Sequence, residues 1–387
     1  MRIIDWILFV IIALNVLYLL IFAFASKFSK NNKYPNSDSY KSIAVLIPAY
    51  KEDRVVEECV QSCLNQDYPK EKFTIVVISD HMHDETNKRL SEMQIKLCIA
   101  TYEDSTKSKA LNLAMSEIDD HDIALVFDAD NTVDTDYFKK INNAFSTGKT
   151  TLLQTHRIAK NVNNNLAVLD AVSEETNNSI FRQGHANLGL SAALIGSGMA
   201  FDYLTFKNKM LTIKAVGGFD RNLELSFLKD CKQIDYLSDA YVYDEKVQSH
   251  KAFSNQRKRW LSAQFHYFYE FRKDLPKAFF AGNIDFCNKY FQQLAIPRII
   301  LIGMIPIISI FLSLFFGSLA IKWWIIFGLM CIALGLAIPG NLINKRLLLA
   351  LMDLPKVFFL MFMNLFKLKG ANKSFIHTPH GLTKSDN

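Results

Sequence analysis

The sequence contains no C-x-x-C pair, no G-x-G-x-x-G turn and no G-x-x-x-x-G-K-[ST] loop. The first absence argues against a zinc or disulfide framework, since Cys59, Cys63, Cys98, Cys231, Cys287 and Cys331 are scattered through 387 residues. Cys59 and Cys63, four apart in an amphipathic stretch, read as buried helix positions. The other two absences leave dinucleotide and P-loop chemistry without a signal. No nucleic-acid-binding motif accompanies the net charge of +6, which is read as basic residues flanking membrane segments. Charged residues make up 21% of the chain and hydrophobic ones 50%, including 30 Phe. That excludes both a disordered chain and a pure bundle of membrane helices. It implies one ordinary soluble domain plus a few very apolar segments.

Residues 6–25 are apolar apart from Asn15 and are long enough to span a bilayer. A cleaved signal peptide is the rival reading, because Ala23-Phe24-Ala25 resembles a cleavage site. Lys27, Lys30 and Lys33 favour an uncleaved anchor with the next domain in the cytoplasm. Residues 299–317 and 323–340 are two further uncharged spans, flanked by Arg298, Lys322, Lys345 and Arg346. Residues 347–366 contain Asp353, Pro355 and Lys356 and read as an interfacial helix ahead of a fourth span. The expected organisation is an anchor (1–26), a cytoplasmic domain (41–290), two membrane helices (295–342) and an interfacial helix with a cytoplasmic tail (347–387).

Between the membrane segments, apolar runs at 43–47, 73–78, 95–100 and 123–127 alternate with amphipathic stretches at 52–65, 85–92, 107–118 and 136–144. This predicts a parallel α/β sheet covered by helices on both faces. Ligands then bind beyond the carboxyl ends of the strands. Those ends carry Glu52, Asp80 and the pair Asp128/Asp130, which can accept from a base or ribose or hold a divalent cation. Two other Asp-x-Asp pairs, Asp120/Asp122 and Asp134/Asp136, fit solvated loops or helix starts; only Asp128/Asp130 directly ends a strongly apolar strand.

In order along the chain stand IPAYKE (47–52), SCLNQDYP (62–69), ISD (78–80), KSKALNLA (107–114), FDADN (127–131), GSGMAF (196–201), VGGFD (216–220) and QRKRW (256–260). This series resembles the membrane-anchored, inverting family 2 glycosyltransferases, and the resemblance covers nearly the whole chain. It implies a GT-A fold, a Rossmann-like and mostly parallel sheet. It implies that Pro48, Ala49, Tyr50, Glu52, Asp80, Lys107 and Asp128 bind a nucleotide-diphosphate sugar, in the leading case a UDP-sugar. Asp130, with Asp128 on the metal or the nucleotide side, would hold Mg²⁺ or Mn²⁺, and Lys107 would face these acids or the phosphates. Gly198, Gln256, Arg259 and Trp260 would meet the acceptor, a glycan or lipid-linked molecule.

Inversion needs a base for the acceptor hydroxyl. The family's pattern has Asp where this chain has Asn222, and an amide is no general base. Glu224, or failing that Asp220, is expected to substitute. His156, Arg157 and Lys160 either line the acceptor cleft or sit on a solvated loop, and His377 and His380 form a weak metal or phosphate candidate. The expected activity is transfer at the membrane for cell-surface polysaccharide or glycolipid synthesis. The alternatives are a catalytically impaired partner protein, a processive synthase, or a transporter. The last is disfavoured by the few spans and the absence of notable charges within them.

Overall fold

The computed structural model describes residues 2–28, 34–215, 217–367 and 381. Among these, eight strands form one mixed sheet: β1 (Ile43–Tyr50), β2 (Phe73–Asp80), β3 (Lys96–Ala100), β4 (Ile123–Val126), β5 (Thr132–Val133), β6 (Leu152–Ala159), β7 (Met199–Asp202) and β8 (Asp235–Asp244). The order is β3-β2-β1-β4-β7-β6-β8-β5. Strands β1 to β4 are parallel, as expected. β7 is antiparallel to both its neighbours, and β6 and β8 are parallel again.

The helices are α1 (Arg2–Ala25), α2 (Val56–Leu64), α3 (Asp84–Ser91), α4 (Lys107–Ser116), α5 (Tyr137–Ser146), α6 (Asn165–Asn177), α7 (His185–Asn187), α8 (Tyr203–Met210), α9 (Phe219–Lys229), α10 (His250–Glu270), α11 (Leu275–Phe280), α12 (Ile284–Gln292), α13 (Arg298–Phe315), α14 (Gly317–Ala337), α15 (Lys345–Ala350) and α16 (Leu354–Leu365). A π-helical stretch, Asn178–Gly184, joins α6 to α7.

The apolar runs are continuous because both faces of the sheet are covered. Ile43, Val45 and Ile47 share one core with Val60 of α2 and Ile141 of α5, while Ala44 and Leu46 share the other with Leu111 of α4 and Phe206 of α8. The β1–β2 ladder runs to Tyr50 and Asp80, but the β1–β4 ladder stops at Leu46 and Val126. Beyond that point β1 and β4 part and open a crevice where the strand order changes direction. Pro48 lies just past the last β4 pair, on the side of β1 that faces β4, so its missing N–H costs no ladder bond.

Among the described residues, four stretches are long and apolar enough to cross a membrane: Arg2–Ala25, Arg298–Phe315, Gly317–Ala337 and Lys345–Leu365. The first three share one core built from Ile12, Val16, Leu301, Ile305, Trp323 and Met330. Lys322 departs from its expected place between two spans. It lies inside α14, in an ion pair with Asp5 of α1, and its ammonium stands 3.9 Å from the centre of the Trp6 ring. Counter-charge and ring together let α14 begin before the lysine instead of after it. At the other end, the Ser179 hydroxyl donates to the Ala337 carbonyl at 2.6 Å, so α1 and α14 run side by side toward the sheet domain. The fourth stretch is broken at Leu351–Asp353. Its halves rest on α6 and α10, and Asn364 Nδ2 donates to the Ser254 carbonyl of α10 at 3.1 Å.

Candidate active site

The parallel register sets acids along one rim of the sheet. Asp80 ends β2 beside Tyr50 of β1, Asp128 follows β4, and Asp244 ends β8. Carboxylate oxygens of Asp128, Asp130 and Asp244 lie within 4.8 Å of one another. Such an all-oxygen set suits a hard divalent cation. The buried Asp130 also accepts the Glu245 backbone N–H at 2.9 Å. Asp244 was not singled out from the sequence, because Ser238 and Asp239 interrupt the apolar pattern of β8. Its carboxylate lies 2.7 Å from Lys246 and 3.5 Å from Arg157. Burial alone would raise its pKa, but Arg157 and Lys246 outweigh burial and hold it below the ordinary carboxylate range.

Lys107 opens α4, which Thr106 caps by accepting the Lys109 N–H. Its ammonium forms an ion pair with Asp128 and donates to the Gly196 carbonyl at 2.6 Å. It is therefore turned into the crevice and not into solvent. At the β1–β2 end of the rim, Asp80 is buried and lies 2.6 Å from Nδ1 of His81. Lys51 and His81, next to Tyr50 and Asp80, both have left-handed backbone, with φ of 56° and 57°. Such strain in non-glycine residues is held only where the surroundings enforce it, which is common at ligand sites. Ala49 is buried under this rim.

The two expected bases are placed differently. Asp220 and Glu224 are one turn apart on α9, but only Asp220 is directed at the crevice. A Cβ placed on Gly196, whose carbonyl takes Lys107, would come within 4.0 Å of Asp220 Cβ. Glu224 is 5% exposed, accepts from the Leu194 N–H at 3.2 Å, and pairs with the fully buried Lys289. Both its contacts, with the Leu194 N–H and with Lys289, lie in the buried interior of the domain. Of the two candidates, Asp220 is thus the one beside the Gly196 turn and Glu224 the one in the buried pair. Asn222 points elsewhere again and takes the Ser226 hydroxyl at 3.1 Å.

Of the QRKRW element, Arg259 stands in the fields of Asp128 and Asp220. Burial lowers its pKa, while these two carboxylates oppose the shift. Gln256 Oε1 is buried and has no hydrogen-bond partner among the described residues. Trp260 is stacked by Arg257, whose guanidinium is 4.1 Å from the ring centre and pairs with Asp170, so that face of the indole is taken. Gly198 also departs from expectation. It has φ of +60°, and a Cβ there would meet Thr155 Oγ1 at 2.5 Å and Val242 at 2.9 Å. Gly198 thus packs under the site, and Gly196 is the glycine at its surface.

His156 and Arg157 sit on strand β6 and not on a loop. His156 is 3.1 Å from Glu175, and Arg157 is buried against Glu174. Lys160 pairs with Glu58 at 2.6 Å. His377 and His380 lie outside the described residues. Gly381 is described: its N–H donates to Glu245 Oε2 at 2.9 Å, and its carbonyl accepts from Arg54 at 3.4 Å.

A probable glycosyltransferase of Bacillus subtilis, YdaM, is 33% identical over 104 residues, which is 25% of this chain and 24% of that one. A beta-monoglucosyldiacylglycerol synthase of Trichormus variabilis is 24% identical over 231 residues, 56% of this chain and 48% of that one. The chain thus spans half or less of the length of these curated relatives. The solved mannosyltransferase PcManGT from Pyrobaculum calidifontis, in complex with GDP-Man and Mn²⁺, superposes with a TM-score of 0.53 at 16% identity, covering 86% of this chain and 99% of that one. The family described as glycosyltransferase like family 2 matches residues 41–263. That is more than half of the chain, so the protein belongs to these family 2-like glycosyltransferases, and its sheet is the GT-A fold.

Proposed function

We propose that this glycosyltransferase is embedded in the membrane. On this reading it moves a sugar, with inversion, from a nucleoside-diphosphate sugar to a hydroxyl of a lipid acceptor at the cytoplasmic surface. The observation that carries the reading is that Asp220 of α9 stands next to Gly196, whose carbonyl takes the ammonium of Lys107, the ion-pair partner of Asp128 in the acid cluster. Donor phosphates at the acid cluster and an acceptor hydroxyl at Asp220 then meet across the Gly196 turn.

Tyr50, Glu52 and Asp80 border the base and ribose, with Pro48 and Ala49 shaping the floor. Asp128 and Asp130, with Asp244 behind them, would hold Mg²⁺ or Mn²⁺, which when bound stabilises charge on the departing diphosphate. Lys107 and Arg259 add positive charge at the same place. Asp220 accepts the proton of the acceptor hydroxyl as its oxygen attacks the anomeric carbon on the face opposite the diphosphate. Buried Gln256 Oε1 offers an acceptor to a sugar hydroxyl. A UDP-sugar remains the leading donor. The glycolipid name of the Trichormus relative supports a lipid acceptor. The cytoplasmic placement is supported by Arg298, Lys345 and Arg346, which flank α13 and α14 at the ends nearer the sheet domain.

The test is a panel of UDP-, GDP- and dTDP-sugars with Mn²⁺ or Mg²⁺, using the full chain in liposomes that contain diacylglycerol. Transfer from one donor, with inverted anomeric configuration by NMR and loss in Asp130→Ala, supports the reading. No transfer from any donor overturns it.

A further inference from the structure

After α10 the chain turns through α11 and α12, and this hairpin has two unlike faces. Ala278, Phe286 and Tyr290 pack into the core of the sheet domain, and Asn283 Nδ2 donates to the Leu228 carbonyl at 2.7 Å. The outer face is apolar, with Phe279 67% exposed, Phe280 86% and Ile284 70%. Arg272, Lys273 and Lys277 are exposed beside them.

The hairpin lies against α1. Tyr18 of α1 donates to Asn288 Oδ1 at 2.8 Å and accepts from Gln292 at 2.7 Å. The Ile296 N–H donates to Asn15 Oδ1 at 2.9 Å. Asn15 is ten residues before Ala25, about 15 Å along the helix at 1.5 Å per residue. Tyr18, the residue that meets α12, is seven residues before Ala25, about 10 Å along the same helix, so the end of α12 lies alongside the last two turns of an apolar membrane-length helix. Exposed phenylalanines ringed by basic residues are the composition of an interfacial element.

We propose that the α11–α12 hairpin is embedded in the surface of a phospholipid bilayer. Phe279, Phe280 and Ile284 enter the acyl region, while Arg272, Lys273 and Lys277 meet anionic headgroups. Asn283 and Lys289 fasten the hairpin to α9, so its seating sets the height of Asp220 above the lipid. The proposal rests on α1, α13 and α14 being membrane spans.

The test uses the full chain in phosphatidylglycerol nanodiscs doped with a phospholipid carrying a photoreactive acyl chain, with adducts mapped by mass spectrometry. Adducts on 276–284 together with α1 are expected. Phe279→Ser/Phe280→Ser should reduce the hairpin adducts about tenfold, a modest estimate for removing two aromatic rings from an apolar environment, with α1 adducts unchanged. Labelled α1, α13 and α14 with a blank hairpin overturns the proposal; if such discs also hold two copies, the face is a contact between copies. A blank α1 overturns the membrane reading as well. None of these readouts depends on sugar transfer.

Discussion

Lys289 Nζ lies 3.2 Å from Glu224 Oε1, with 0% and 7% of the two side chains exposed. Burial lowers the lysine pKa, and Glu224 opposes that shift. Removing one leaves the other as an uncompensated buried charge, at a cost of about 3–5 kcal/mol. Glu224→Gln should therefore lower the unfolding midpoint sharply. Turnover per folded molecule should stay near wild type, because the pair does not reach the crevice. Glu224→Gln/Lys289→Met should recover most of the stability. Wild-type stability together with abolished turnover in Glu224→Gln would restore that residue as the base.

Asp220→Asn is expected to do the opposite. Its side chain opens a helix at the crevice and anchors no buried network, so thermal stability should hardly change. Loss of a general base costs about 10² to 10⁴-fold in rate, and donor KM should move little. The check is kcat beside donor binding by calorimetry, and an unchanged kcat ends the assignment.

These two residues show how far the sequence could be read. Apolar strands and the acids at their ends are local signals, and the first four strands and Asp80, Asp128 and Asp130 could be placed from them. Whether Asp220 or Glu224 faces the crevice depends on Lys289, which is 65 residues further on and recognisable only once α12 is packed against α9. Asp244 was hidden because β8 is interrupted by polar residues and earns its place through pairing with β6. Gly198 and Gly196 look alike in GSG, and only the packing of Thr155 and Val242 beneath one of them tells them apart.

The acid cluster divides into a chemical and a structural half. Asp130→Asn should raise the Mn²⁺ concentration for half-maximal activity by an order of magnitude or more, with little change in Tm. Asp244→Asn should lower Tm as well, because Arg157 and Lys246 lose a buried counter-charge. Equal effects of the two variants on Tm would refute this division.

Gly381 touches Arg54, just past β1, and Glu245, next to the acid cluster. It has φ of +70°, and a Cβ there would stand 2.9 Å from Arg54 Cβ and 3.1 Å from Val55 Cγ1. Gly381→Val must therefore shift that residue or Arg54, and with it the contact to Glu245, the neighbour of the cluster. Donor KM should rise several-fold, with Tm unchanged, since the contact adds nothing to the sheet core. An unaltered KM would show that this contact has no part in donor binding.

His185 carries the pH dependence of the seam between α1 and the sheet domain. It is fully buried, its Nδ1–H donates to the Ile180 carbonyl at 2.7 Å, and its ring stacks on Phe22 at 3.8 Å. Burial, and next Lys289, push its pKa well below 6.5, against the pull of the Ile180 carbonyl. The unfolded chain therefore takes up this proton first as pH falls. The contribution of neutral His185 is complete above about pH 6.5 and is lost below it, at up to about 1.4 kcal/mol per pH unit, until the depressed native value is reached. The purified full chain should lose Tm steadily from pH 6.5 to 5. His185→Gln should start from a lower Tm at pH 7.5 and show a much flatter profile over that interval. A variant profile as steep as that of wild type would assign the acid sensitivity to other groups.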